Sequence, residues 1–171
     1  VAVNVGAGHI APAGGGFEPQ RVFNWVLLIP GLDDTELIRL SAERVQLPKL
    51  STAVQHIRYM NEDVKVSGGA SVEANSITCR DFVDRKVLAT LEKWLKQVHD
   101  SDTGKIGYAS SYKRNITIQL IDSMGEVKRS VTGKGVWPSS MSFSDLDYNT
   151  DTGQVKINLT LQVDRYTFNL D

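Results

Sequence analysis

The sequence predicts a mainly β fold with one α-helix, an antiparallel β-sandwich or small barrel of about seven or eight strands. From Gln154 to Asp164 the chain alternates without a break. Val155, Ile157, Leu159, Leu161 and Val163 fall on one parity and Lys156, Asn158, Thr160, Gln162 and Asp164 on the other, as in a strand with one dry and one wet face. A single stretch, Asp81 to His99, carries apolar residues at three- and four-residue spacing, the period of a helix. Elsewhere strand-like runs follow one another through turn residues and do not alternate with helices, which argues against a parallel sheet.

Taken in order, residues 1–21 are rich in Gly and Ala, with Gly14-Gly15-Gly16, Pro12 and Pro19. Such a segment has little apolar surface to offset the entropy of ordering, so it is expected to be a flexible arm preceding one domain, 22–171. Val22 to Ile29 is an almost continuous apolar run stopped by Pro30-Gly31 and predicts the first strand. Glu36 to Gln46 is a second, less regular strand. From Val54 to Gly69 two alternating flanks surround Asn61-Glu62-Asp63, whose turn chemistry predicts an extended hairpin. Ser71 to Cys79 is another strand, with Val72, Ile77 and Cys79 apolar.

The helix follows. Val83, Val87, Leu88, Leu91, Trp94, Leu95 and Val98 share one face, Arg85, Lys86, Glu92, Lys93 and Lys96 the other, and Asp81 and Asp84 stand where they can satisfy the first free amides. It is expected to plug a sheet-built core, with Trp94 as an anchor. Asn115 to Ile121 and Glu126 to Thr132 bracket Asp122-Ser-Met-Gly125, a tight hairpin. Residues 134–153 read as a loop leading into the last strand. In it Trp137 is a core anchor with Pro138 ending a strand, or Trp137 also fixes a loop that meets a neighbouring subunit.

Composition narrows the function classes. At 171 residues and 41% hydrophobic content the chain can bury a real core, and 19 basic against 20 acidic residues leave no global field to hold nucleic acid. One cysteine, Cys79, forms no internal disulfide and is expected to be a small, half-buried strand residue. No apolar run is long enough for a membrane helix, and Val1 to Gly16 lacks the basic start and apolar block of a secretory signal.

No reaction centre emerges. His9, His56 and His99 share no ligand spacing with one another or with Cys79, and no cofactor is called for. Gly14-Gly15-Gly16 precedes Phe17-Glu18 and is no P-loop. Ser110-Ser111 and Ser139-Ser140 have no nearby base. Asp145, Asp147, Asp151 and Asp164 do not match a calcium loop. The sequons at Asn115 and Asn158 fall inside predicted strands. An enzyme is not expected, and a protein that works by shape and assembly is.

The Phe23-x-Trp25 strand, the hairpin Ile57 to Val66, Gly69 before a strand, a mid-chain helix carrying Trp94, the Gly135-Val-Trp-Pro138 step and the strand closing in Leu161-Gln-Val-Asp-Arg-Tyr166 together resemble the tail tube proteins of contractile-tailed bacteriophages. The resemblance spans roughly residues 22–168; the Gly-rich arm and Thr167 to Asp171 depart from it. It implies stacked rings, of six copies each, forming a conduit for DNA ejection in the virion tail, assembled in the host bacterial cytoplasm. Implied partners are the chain itself, a tail sheath protein, baseplate and tail terminator proteins, and a tape measure protein in the lumen. DNA would pass without specific binding, and no membrane is involved. On this basis His56, Arg58, Tyr59, Met60, Asn61, Glu62 and Asp63 are expected at the contact with the next ring. The wet parity Lys156, Asn158, Thr160, Gln162 and Asp164 is expected to face the lumen. Tubes of type VI secretion, bacteriocin or extracellular injection systems share the fold and are the alternative; a monomeric ligand-binding β-barrel is a third reading.

Overall fold

In the computed structural model, which describes residues 20–149 and 153–170, two long tracts organise the molecule. β9 (Val127–Phe143) runs antiparallel to β10 (Lys156–Gln162) and then β11 (Arg165–Leu170). Gln162 opposes Trp137 and Arg165 opposes Lys134, so one register continues across the joint between β10 and β11. Residues 134–143, expected as loop, are therefore strand; their polar outer parity, Ser140 and Ser142, is what concealed them. Thr167 onward, a departure from the resemblance, is the body of β11.

β9 belongs to two sheets. Its first half lies between β8 (Arg114–Ile121) and β11, with β1 (Trp25–Leu28) beyond β8; its second half pairs with β10, followed by β5 (Asn75–Arg80) and β2 (Ala42–Val45). The bend between the halves has a local cause. Gly135 takes φ +67, a left-handed conformation that favours glycine, and the register shifts by one residue opposite Thr160 and Leu161. Pro138, buried within β9, does not end the strand as expected but sits at this irregularity, where its missing N–H costs little.

Between the sheets lies one core. Leu27, Ile116, Ile118 and Val131 come from the first sheet, Ile77, Cys79, Ile157, Leu159 and Leu161 from the second. The dry parity of β10 is thus as expected. Cys79 is wholly buried, more deeply than its sequence setting suggests, and burial pushes its thiol up to about 11.

Two helices close the core. α2 (Lys86–Val98) contributes Val87, Leu91 and Trp94, the face read from the spacing. Its start is later than expected. Arg85, just before the helix, takes a left-handed φ of 59, Val83 is wholly exposed, and neither Asp81 nor Asp84 caps it by a short bond, the Lys86 amide standing 3.4 Å from Asp84 Oδ1. The expected strand at 36–46 is α1 (Thr35–Ser41) followed by the short β2. Ile38 and Ser41 face inward one turn apart, Ser41 Oγ donates to the Ile38 carbonyl at 2.9 Å, and Arg39 pairs with Glu36. Seven residues span too few turns for that period to show in sequence.

The remaining elements are β3 (Leu50–Tyr59), β4 (Glu62–Val72), the two-residue strands β6 (His99–Asp100) and β7 (Lys105–Ile106), and α3 (Ala109–Tyr112). Eleven strands are thus present among the described residues, more than the seven or eight expected, because the final tract divides and short pairs were not legible. The expected strand 71–79 is divided too, Val72 ending β4 and Asn75 opening β5. The 122–125 turn is as expected. Asp122 accepts amide hydrogens from Glu126 at 2.9 Å and Met124 at 2.8 Å, which hold its carboxyl below the usual range. Of the expected arm, residues 1–19 lie outside the described residues, whereas Gln20 donates to the Ile121 carbonyl at 2.9 Å.

Candidate assembly interface

β3 and β4 form a two-stranded sheet of their own, apart from the sandwich. The turn is Met60-Asn61, one residue earlier than expected, with Met60 at φ 53; Glu62 and Asp63 already belong to β4. A two-stranded ribbon alone is marginal in water, so its side chains decide what it can do.

Directly opposed residues of an antiparallel pair share a face. Gln55 opposes Val66, Ile57 opposes Val64, and Tyr59 opposes Glu62, while His56 opposes Lys65 and Arg58 opposes Asp63. One face of the ribbon is therefore apolar and the other charged. On the apolar face Ile57 and Val64 are each 49% exposed, Val66 38% and Tyr59 69%. On the charged face His56 Nδ1 and Asp63 Oδ2 stand 2.8 Å apart. The sequence list for this contact thus divides: His56, Arg58 and Asp63 occupy the charged face, Tyr59 and Glu62 the opposite one, and Met60 and Asn61 the tip. Ile57, Val64 and Val66 lie within the same hairpin, residues 54–66, expected at that contact, but were not singled out. Their common parity in the two flanks was the available signal.

The wet parity of β10 lies on the outward face of the second sheet. Thr78 Oγ1 donates to Asn158 Oδ1 at 2.9 Å, Thr160 lies between Ser140 and Ser76, and Gln162 opposes Trp137. The two charges of the strip are both engaged. Lys156 Nζ is 3.0 Å from Glu43, and the Asp164 carboxylate accepts Lys113 Nζ at 2.7 and 2.9 Å. Asp164 stands beyond the end of β10, with its carboxylate over the open face of Gly135.

The expected anchors meet through one residue. Trp94 is 1% exposed and its Nε1 donates to the Tyr112 carbonyl at 2.8 Å, while the Tyr112 ring stands edge-on to Trp137 at 5.9 Å. Trp137 is only half-buried, so α3 ties the core helix to the bend of β9.

The backbone matches known assemblies over nearly its whole length. The tube-terminating cap of the anti-feeding prophage superposes with a TM-score of 0.72 over 90% of this chain and 93% of that one, at 15% identity. A chain of the extended sheath-tube complex of PVC, an extracellular contractile injection system, gives a TM-score of 0.67 over 98% and 100%, also at 15% identity. In sequence, a tail tube protein of Serratia phage KSP90 is 22% identical over 139 residues, covering 78% of each chain.

The chain has the tail-tube fold.

No protein-family model matches the chain. In this tail-tube fold the polar strip and the amphipathic ribbon occupy separate regions, one on the second sheet and the other projecting from the sequence between β2 and β5. The sequence had named both regions.

Proposed function

We propose that this chain is the structural subunit of a contractile-phage tail tube. Six copies form a ring, and rings stack into a conduit for DNA ejection. The observation that carries this reading is the β3–β4 ribbon, whose apolar face of Ile57, Tyr59, Val64 and Val66 stands exposed. A ribbon of this kind is stabilised when its dry face is buried on a second copy, and a stacked ring supplies that copy in fixed register.

The wet face of β10 lines the lumen in this reading. Its hydroxyls and amides, with Lys156 held by Glu43 and Asp164 by Lys113, offer phosphates no loose cation. Weak phosphate contact suits transit, since strong contacts would retain DNA. Sheath, baseplate and terminator proteins are the outer partners and a tape measure protein the lumenal one, with assembly in the bacterial cytoplasm before incorporation into the virion. The chain performs no catalysis.

The second reading is a tube of an extracellular contractile injection system, supported by the backbone likeness to the anti-feeding prophage and PVC chains. The two differ in payload, so the contents of tubes purified from the native source separate them. The test of assembly replaces Ile57–Val64 by an Asn-Gly turn, which joins the opposed His56 and Lys65. We expect a folded protein with an intact sandwich that forms no tubes by electron microscopy; tubes of normal length would refute the reading.

A further inference from the structure

The sandwich is open along one seam. Among the described residues β1 ends the first sheet and β2 the second, and between Trp25 of one and Val45 of the other lies a cavity of about 260 Å³. Leu47, Ile118 and Leu120 complete its apolar wall. Ile118 belongs to the core, whereas Trp25 is half-buried and Leu47 is 52% exposed, so the cavity leads from the core to the surface. Protein interiors are close-packed and leave few voids larger than a water molecule, so an apolar space of this size is a seat for an apolar group. Gln20 stands in the same wall and is fastened there, its Nε2 donating to the Ile121 carbonyl at 2.9 Å and to the Asn24 carbonyl at 3.4 Å. The segment that precedes Gln20 therefore starts at the mouth of the cavity.

We infer that Phe17 seats its ring in this cavity of its own subunit, against Trp25 and Leu47, and closes the seam. Phe17 is the only Phe, Trp or Tyr among residues 1–19. It stands three residues before Gln20, a reach of at most about 10 Å. An apolar cavity of about 150 Å³ takes a benzene ring, so there is room here for a phenyl group and its stem. Pro19 restricts its own φ and favours an extended Glu18, which lowers the entropy of holding the ring in place, and Gly14-Gly15-Gly16 lets the chain before Phe17 turn away from the surface. The larger cleft on the other side of Trp25 suits the ring less: it carries Arg39, Arg44, Arg80 and Glu43, and Gln20 is not in its wall. The seat is formed within one subunit, so it stands or falls independently of ring formation.

The test is urea unfolding of the full-length protein below its assembly concentration. Phe17→Ala should lower the folding equilibrium constant at least about tenfold, the lower end of what burying a phenyl ring contributes. Ile10→Ala, which trims another large apolar side chain of the same segment, should leave it unchanged. Leu47 is half-exposed, so Leu47→Ala keeps the fold, and in that background the Phe17→Ala effect should shrink at least about threefold because the two truncations remove one contact. In the wild-type monomer, the Phe17 ring protons should show nuclear Overhauser contacts to the Leu47 and Ile118 methyls. A Phe17→Ala chain as stable as the wild type, losses that add strictly with those of Leu47→Ala, or absence of those ring–methyl contacts overturns the seat. A loss seen only at concentrations where copies associate gives the ring to a neighbouring copy and overturns it equally, and in each case the tube reading stands.

Discussion

Replacing Ile57 and Val64 with threonine should weaken assembly steeply without weakening the monomer. The two residues oppose each other on the apolar face of the ribbon, each 49% exposed. Docking that covers the remaining half of both side chains removes roughly 130 Å² of apolar area from water, or about 3 kcal/mol gross. Threonine keeps the branched Cβ and the strand preference but puts a hydroxyl in place of a methyl at Val64 and of the ethyl arm at Ile57. A loss of about 2–3 kcal/mol per docked ribbon follows, which raises the assembly concentration by roughly 30- to 150-fold. The monomer should shift by no more than about 0.5 kcal/mol, since solvent already reaches both sites. Sedimentation velocity across a concentration series reads the first quantity and thermal melting the second. Assembly at the wild-type concentration would refute the reasoning, as would a drop of several degrees in Tm.

Two further predictions concern the sandwich. Gly135→Ala forces a left-handed backbone onto a residue with a Cβ, and that Cβ would lie 2.1 Å from Asp164 Oδ2. We expect a loss of about 1–3 kcal/mol in urea unfolding, and a smaller loss for Gly135→Ala in an Asp164→Ala background, because the displaced carboxylate is part of the cost; strictly additive losses would refute this. Cys79 is held protonated by burial, with its thiol raised from 9.0 to about 11. The stability from this shift is fully present below the unfolded value and is lost as pH rises from about 9 through 11. A Cys79→Ala variant should therefore lack that part of the alkaline decline, and a native thiol that reacts with a bulky reagent at pH 8 as fast as the unfolded one would contradict the burial.

Much of this fold was legible where a single period ran long enough. The alternation of 154–164 marked β10 and its dry face, and the spacing of Val87, Leu91 and Trp94 marked the buried face of α2. What escaped were elements too short for a period, such as α1, and strands defined by distant partners, such as β11 and the second half of β9. The ribbon was legible as a hairpin, but its two faces required the register: a shift of one residue at Thr52/Val54 sets which side chains meet, and that irregularity centres on Ala53 and Gly68, whose pairing no local pattern reveals.

The claim that this chain works by self-assembly is tested most directly by electron cryomicroscopy of the purified full-length protein across a concentration series. The account predicts tubes of uniform bore in which density for residues 50–72 lies against a second copy, with Ile57 and Val64 covered. A protein that stays monomeric throughout, or tubes in which that ribbon projects into solvent, would contradict it.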